Sequence, residues 1–176
     1  MIATHFHQGG AVRYEVNDRV VHPFHGAGVI SEISMKDISG EMVECVVISL
    51  SGGRAGILLP LNAVGESGLR KVSSEKQIKD AMKVLSQPGE KLPKDWRRRI
   101  DVLKDRVNSG DPSVIASAIR DVLGRSSFAK MNPSEKRVLN EAVTVFAGEL
   151  SLVMEITLES AKKLINRKVT GKKKEA

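Results

Sequence analysis

The hydrophobic periodicity of the chain changes near Ser74, and this change limits the fold more than any other feature. Up to Val72 the apolar residues fall in short β-branched runs, RVVHPF, AGVISEIS, MVECVVISL and AGILLPL, which are separated by the glycine-containing segments HGAG, DISGE and SGG. Runs of this length between glycine turns predict β-strands, and Pro60 is expected at a strand end. Four or five short strands are too few for a sandwich and favour a small, bent barrel of the SH3 or Tudor type.

From Ser74 onward the apolar residues recur with the period of an α-helix. Helix N-termini are predicted at Ser74, which forms a capping-box pattern with Gln77, and at Asp111, Asn132 and Thr157. Gly124 is expected to end the third of five helices. The sequence thus predicts an α+β fold of two domains, a small SH3/Tudor-like β-barrel and a compact five-helix C-terminal domain. The predicted limits are an N-terminal extension at 1–13, the barrel at 14–73, the helical domain at 74–168 and a disordered basic tail at 169–176.

The net charge of +7 is unevenly divided along the chain. Residues 1–73 contain 6 Lys/Arg and 7 Asp/Glu, a net charge of −1, whereas residues 74–176 contain 22 and 14, a net charge of +8. Such asymmetry indicates that the helical part meets a polyanion, most often nucleic acid. No apolar run approaches the roughly 18 residues of a membrane span, and the N-terminus lacks the pattern of a signal peptide. A cytoplasmic protein without membrane contact is therefore expected.

The sequence contains no recognisable catalytic constellation. The histidines His5, His7, His22 and His25 have no cysteine pair or carboxylate cluster beside them, so turn and surface positions are favoured over a metal site. Cys45 lies in the apolar run VECVVISL, which predicts a small buried side chain rather than a reactive thiol. Phosphate-binding loops and hydrolase motifs are absent. The carboxylates are expected on solvated helical faces, and Asp111 is expected to cap a helix. These observations predict a protein that is not an enzyme and needs no cofactor or metal.

The segment KLPKDWRRR places Trp96, the only tryptophan, directly before Arg97, Arg98 and Arg99. Trp96 shares a helical spacing with Ile100, Leu103 and Val107, which favours a buried stripe with the arginines on the solvent side. An exposed ring at the end of a helix has another use, since it can insert at a base step in the minor groove while guanidinium groups hold the phosphates. The sequence leaves both interpretations open.

The order of motifs resembles the CarD/CdnL family of bacterial transcription regulators. The matching stretches are YEVNDRVVHPFHGAGVISEI, LPLNAVGESGLRKV, DWRRR, SGDPSVIASAIRDV and NPSEKRVLNEA, which together span about residues 14–155. The N-terminal part also resembles the polymerase-interacting domain of transcription–repair coupling factors, without their helicase motor. Four positions depart from the family pattern. His22 replaces a tyrosine, and Leu58 stands where arginine can occur. Ile100 and Asp101 replace a Tyr-Lys pair, so that Asp101 brings a negative charge beside the proposed phosphate contacts.

The resemblance implies a monomeric regulator that joins RNA polymerase to promoter DNA and is associated with the nucleoid through the polymerase. The barrel would dock on the N-terminal lobe of the β subunit by strand pairing, with contacts at Lys36, Ile38 and Leu58. Trp96 would act as a wedge in the minor groove at the upstream edge of the bubble and would prolong the open promoter complex. The implied DNA contacts are Trp96, Arg97, Arg98, Arg99 and Lys136.

A rival hypothesis keeps the barrel and the basic helices as a free-standing nucleic-acid- or ribosome-binding module. It predicts tight, salt-sensitive binding without polymerase, whereas the polymerase-bridging hypothesis predicts weak binding to DNA alone.

Overall fold

A computed structural model describes residues 13–53, 56–126 and 130–171, and it confirms the α+β architecture. The strands come first, at Arg19–His22 (β1), Gly26–Ile38 (β2), Glu41–Leu50 (β3), Ile57–Pro60 (β4) and Arg70–Lys71 (β5). The helices follow at Glu75–Val84 (α1), Trp96–Asn108 (α2), Pro112–Ser126 (α3), Pro133–Val153 (α4) and Leu158–Thr170 (α5). The extension predicted at 1–13 and the tail predicted at 169–176 lie mostly outside the described residues.

The strands form one antiparallel sheet in the order β4-β3-β2-β1-β5, so that β4 and β5 are its edges. The β2–β3 hairpin is the longest pairing and turns at Ser39 and Gly40, whose φ angles of 58° and 89° are the positive values that a tight hairpin turn needs. An irregularity in the register between Ile30 and Glu32 lets β2 bend. The inner face of the sheet holds a small core formed by Val20, Ile30, Val46, Ile48, Val64 and Leu69.

The predicted helix N-termini are confirmed. Capping boxes join Ser74 to Gln77 and Asn132 to Glu135, and Asp111 accepts hydrogen bonds from the N–H groups at the start of α3. The expected end of α3 at Gly124 is wrong, because the helix continues to Ser126. Gly124 does not adopt the positive φ of a helix-ending glycine, so nothing stops the helix at that residue.

The barrel and the helices share one large core through α4. Val21 and Ala27 of the sheet belong to the same apolar cluster as the buried faces of all five helices. Gly148 allows α4 to approach the sheet closely, since a Cβ at this position would lie 3.1 Å from the Cβ and the backbone N of Ala27. The two domains are therefore packed against each other rather than joined by a loose linker.

A buried carboxylate reinforces this contact between sheet and helix. Glu149 of α4 accepts two hydrogen bonds from the Arg70 guanidinium, at 2.6 and 2.7 Å, and a third from the N–H of Ser73 at 2.7 Å. Arg19 of β1 also donates to the carbonyl of Leu152. The surfaces of the two domains consequently have a fixed relation to each other.

Candidate nucleic-acid interface

Trp96 is the first residue of α2, and its ring projects from the end of the helix. Asp95 caps the helix by accepting a hydrogen bond from the N–H of Arg98 at 2.9 Å. Trp96 is 46% exposed, and the guanidinium carbon of Arg97 lies 5.2 Å from the centre of its ring. A cation at this distance over an indole face interacts favourably with it. An exposed ring therefore stands at the end of α2 with a positive charge against it.

This geometry distinguishes between a buried Trp96 in the helical stripe and an exposed ring at the helix end, and it favours the exposed ring. Ile100, Leu103 and Val107 are buried in the helical core, as the helical spacing predicts. Trp96 does not continue their stripe, because it precedes the first buried turn of the helix. The ring is available for contact with another molecule.

Arg99 does not share this exposure, and the interpretation of Arg99 as a phosphate contact is corrected. Arg99 is 3% exposed, and its Nε donates to Glu135 Oε1 at 2.5 Å. Its Nη1 donates to the carbonyl oxygens of Pro93 and Lys94 at 2.6 and 2.9 Å. Arg99 therefore points inward and fastens the segment that precedes Trp96. Arg97 and Arg98 remain exposed.

Glu135 is the acceptor that makes a buried Arg99 possible. Burial alone would raise the pKa of Glu135, but hydrogen bonds from the Asn132 N–H and from Arg99, with the positive charges of Arg99 and Arg125, hold it below its usual value. The carboxylate is thus ionised at neutral pH. An ion pair of this kind is costly to break, since the remaining charge stays buried without compensation.

A second buried carboxylate fastens the other end of the same segment. Asp121 accepts a hydrogen bond from the N–H of Glu90 at 2.8 Å and is held by Arg106 and Arg120, each at 2.7 Å. The segment before Trp96 is therefore bound at Glu90 through Asp121, and at Pro93 and Lys94 through Arg99.

The expectation that carboxylates lie on solvated faces is wrong for three residues. Asp121, Glu135 and Glu149 are all buried and paired with arginine. Glu135 and Glu149 lie at helical spacing to the buried Phe146, but the sequence near them does not identify the arginines that neutralise them. The capping-box pattern of Asn132 and Glu135 could have indicated a structural role for Glu135, because the carboxylate of a capping box must turn back toward the backbone.

Lys136 follows Glu135 on α4 and is exposed. Since Glu135 binds Arg99 in the first turn of α2, the beginning of α4 lies beside the beginning of α2. Trp96, Arg97, Arg98 and Lys136 thus come from two adjoining helix ends.

The predicted polymerase contacts lie on the sheet. Lys36 and Ile38 are opposite Val43 and Glu41 of β3, and Leu58 is opposite Val47. Because side chains alternate between the two faces of a strand, this register places Lys36, Ile38 and Leu58 on the same face. Leu58 is 48% exposed on the edge strand β4, and Lys36 forms an ion pair with Glu32 at 3.0 Å.

The remaining candidate residues are the histidines and Cys45. His22 at the end of β1 and His25 in the turn that follows have ring centres 4.6 Å apart, while His5 and His7 lie outside the described residues. No three His, Cys, Asp or Glu side chains among residues 13–53, 56–126 and 130–171 are grouped to hold a metal ion. Cys45 is buried, as predicted. Among these same residues, no helix has the length and apolar character needed to cross a membrane.

Comparisons with known proteins match both halves of the chain. Residues 14–73 match the model of the CarD-like/TRCF RID domain, and residues 80–166 match that of the CarD C-terminal domain. The Bacillus subtilis (strain 168) protein named "Putative transcription factor YdeB" is 28% identical over 152 residues, which cover 85% of this chain and 97% of that protein. The similarity therefore extends over the barrel and the helices in the same order.

Proposed function

The chain belongs to the CarD/CdnL family of transcription regulators linked to RNA polymerase, and from this membership we propose that it prolongs the open promoter complex. In this proposal Trp96 inserts in the minor groove at the upstream edge of the bubble, where the bases are already partly unstacked. Insertion at an intact step would cost a few kcal/mol, so the ring acts most favourably at this junction. The exposed ring of Trp96, with Arg97 placed against it, is the observation that carries the proposal.

The cations around the ring hold the phosphates on either side. Arg97, Arg98 and Lys136 are exposed and come from the adjoining ends of α2 and α4. Arg99 has a different part, since it positions Trp96 through Pro93, Lys94 and Glu135. A ring held in place before binding loses less conformational entropy on insertion than a mobile one.

The sheet supplies the contact with the N-terminal lobe of the polymerase β subunit. The edge strand β4 offers a place for strand addition, in which main-chain hydrogen bonds give affinity and side chains give specificity. Lys36, Ile38 and Leu58 share one face of the sheet and would provide that specificity. On docking, Lys36 would leave its exposed ion pair with Glu32 and bind a carboxylate of the polymerase instead.

The two contacts reinforce each other in one assembled complex. Docking on the polymerase raises the effective concentration of Trp96 at the edge of the bubble, so that weak DNA contacts suffice. The packed contact between Gly148 and Ala27 supports this, because it fixes the helical domain relative to the sheet. The rival module that binds nucleic acid alone needs no such fixed relation.

The proposal is tested by the lifetime of a competitor-challenged open complex over a range of protein concentrations. Lys36→Glu is expected to require more protein for the same effect, since it weakens docking and leaves the DNA contacts intact. Lys163→Glu is the matched control, because Lys163 also forms an exposed ion pair with a neighbouring glutamate but lies on α5. Equal concentration dependence of the two variants, or tight binding to promoter DNA without polymerase, would favour the rival module.

A further inference from the structure

A groove lies between the β1–β2 turn and the outer face of α4. Its volume is about 480 Å³, and its wall on the sheet side is formed by Phe24, which is 72% exposed. The α4 side is formed by residues at helical spacing on one face of the helix: Pro133, Lys136, Arg137, Asn140, Glu141 and Thr144. A large exposed aromatic ring thus faces a polar helix surface across an open channel.

The cations of the groove are not neutralised by the protein. Lys136 and Arg137 form no ion pair with any carboxylate in the part of the chain that the structure describes. Lys79 of α1 and Lys163 of α5 differ in this respect, since each is paired with a glutamate one turn away. Two cations against the single carboxylate of Glu141 leave the groove positively charged.

The side chains of the groove suit a phosphodiester backbone. Lysine and arginine bind phosphate oxygens by charge, asparagine and threonine donate hydrogen bonds to them, and an aromatic ring can pack against the sugars. Because DNA contacts of this kind fix position rather than sequence, the groove needs no base-specific side chain. An acidic peptide would satisfy the same two cations, but it would not continue from the Trp96 site.

We propose that this groove binds the phosphate backbone of the promoter duplex directly upstream of the Trp96 contact, an inference that rests on the proposed function. The groove begins beside that contact, because Lys136 follows Glu135 and Glu135 binds Arg99 in the first turn of α2. From Pro133 to Thr144 the helix extends about 16 Å. This length corresponds to roughly five phosphates of one strand at about 3.4 Å each along the duplex. The upstream duplex is thereby held along α4 while the ring occupies the edge of the bubble.

The test uses the full chain and a fluorescently labelled fork-junction DNA, with affinity measured by anisotropy over a range of salt concentrations. One fork has a long duplex arm, and the other has an arm shortened by about five base pairs, the length that the groove spans. On the long arm, Arg137→Gln is expected to reduce the slope of log affinity against log salt by about 0.9, the value for one phosphate contact. On the short arm the same variant should behave like the wild type. Phe24→Ala should weaken binding to the long arm alone.

Arg167→Gln is the control, because Arg167 is an exposed arginine of α5 outside the groove. An unchanged slope with Arg137→Gln, while Trp96→Ala still weakens the fork, would overturn the groove contact and leave the proposed function standing. No effect of Trp96→Ala on either fork would instead count against the proposed function. Loss of polymerase binding by Arg137→Gln in the absence of DNA would identify the groove as a protein-docking surface and would also overturn the inference.

Discussion

Arg99 in the first turn of α2 donates to the buried carboxylate of Glu135 at the start of α4, with Nε and Oε1 2.5 Å apart. This ion pair divides the three consecutive arginines into two roles. Arg97 and Arg98 face solvent beside Trp96, whereas Arg99 ties the two helix ends together and holds the segment before the tryptophan. Each role predicts a different consequence of mutation.

Removal of the buried negative charge should destabilise the whole protein. Glu135→Gln leaves the Arg99 guanidinium buried opposite a neutral group, and breaking such a pair costs about 3 kcal/mol or more. We therefore expect a lower midpoint in urea denaturation. The fluorescence of Trp96 should also change, because Arg99 fastens the residues before it, and Trp96 is the only tryptophan in the chain.

Glu159→Gln is the comparison for this variant. Glu159 forms an exposed pair with Lys163, and exposed pairs contribute little to stability. If both variants unfold at the same urea concentration, the ion pair of Arg99 and Glu135 is not the anchor that its burial indicates.

The same carboxylate should make stability depend on pH in the acid range. The pKa of Glu135 in the folded protein lies below its ordinary value of 4.5, so the unfolded chain binds the proton more readily. This stabilisation is complete above about pH 4.5 and is lost as the pH falls through the lower folded value. Free energies of unfolding measured by urea titration at several pH values should fall less steeply on acidification in Glu135→Gln than in the wild type. Parallel curves for the two proteins would contradict the assignment.

Replacement by alanine should affect stability differently at the exposed Arg98 and at the buried Arg99. Arg98→Ala should leave the urea midpoint unchanged, since its side chain faces solvent. For fork DNA, the variant should reduce the slope of log affinity against log salt by about 0.9, the value for one phosphate contact. Arg99→Ala should lower the midpoint, because Glu135 then loses its nearest cation. Equal loss of stability in both variants would show that Arg98 is also part of the packed structure.

Substitution by alanine should change the free energy of unfolding in opposite directions at two helical glycines. Gly148→Ala places a Cβ 3.1 Å from the Cβ and the backbone N of Ala27, so that α4 or β2 must move by a few tenths of an ångström, and we expect a cost of about 1–3 kcal/mol. Gly124→Ala meets nothing within 4 Å in α3 and should gain about 0.5–1 kcal/mol from reduced backbone freedom of the unfolded chain. Urea denaturation of both variants checks this. If Gly148→Ala is as stable as Gly124→Ala, the sheet and α4 are not in close contact.

The periodicity of the sequence predicts the fold well because each element has its own local signal. Short β-branched runs between glycines indicate the strands, and capping boxes at Ser74 and Asn132 indicate two helix starts. The mistaken end at Gly124 shows the limit of such signals, since a glycine ends a helix only where its backbone turns to positive φ.

The site is predicted less completely, because it depends on pairs far apart in the sequence. Arg98 and Arg99 are adjacent and chemically identical, and the carboxylate that compensates the buried Arg99, Glu135, lies 36 residues further along the chain. The sequence likewise leaves the exposure of Trp96 undecided, because helical spacing assigns it to the same stripe as Ile100. The groove at Phe24 joins a turn of the sheet to α4, and no local pattern indicates that contact.

The central claim is that the exposed ring of Trp96 slows closure of the promoter bubble. The most direct measurement is the lifetime of a competitor-challenged open complex without protein, with the wild type and with a folded Trp96→Ala variant that retains polymerase binding. We predict a longer lifetime with the wild type and a return to the protein-free value with Trp96→Ala. A wild type that leaves the lifetime unchanged, or a Trp96→Ala variant that prolongs it equally, would contradict the account.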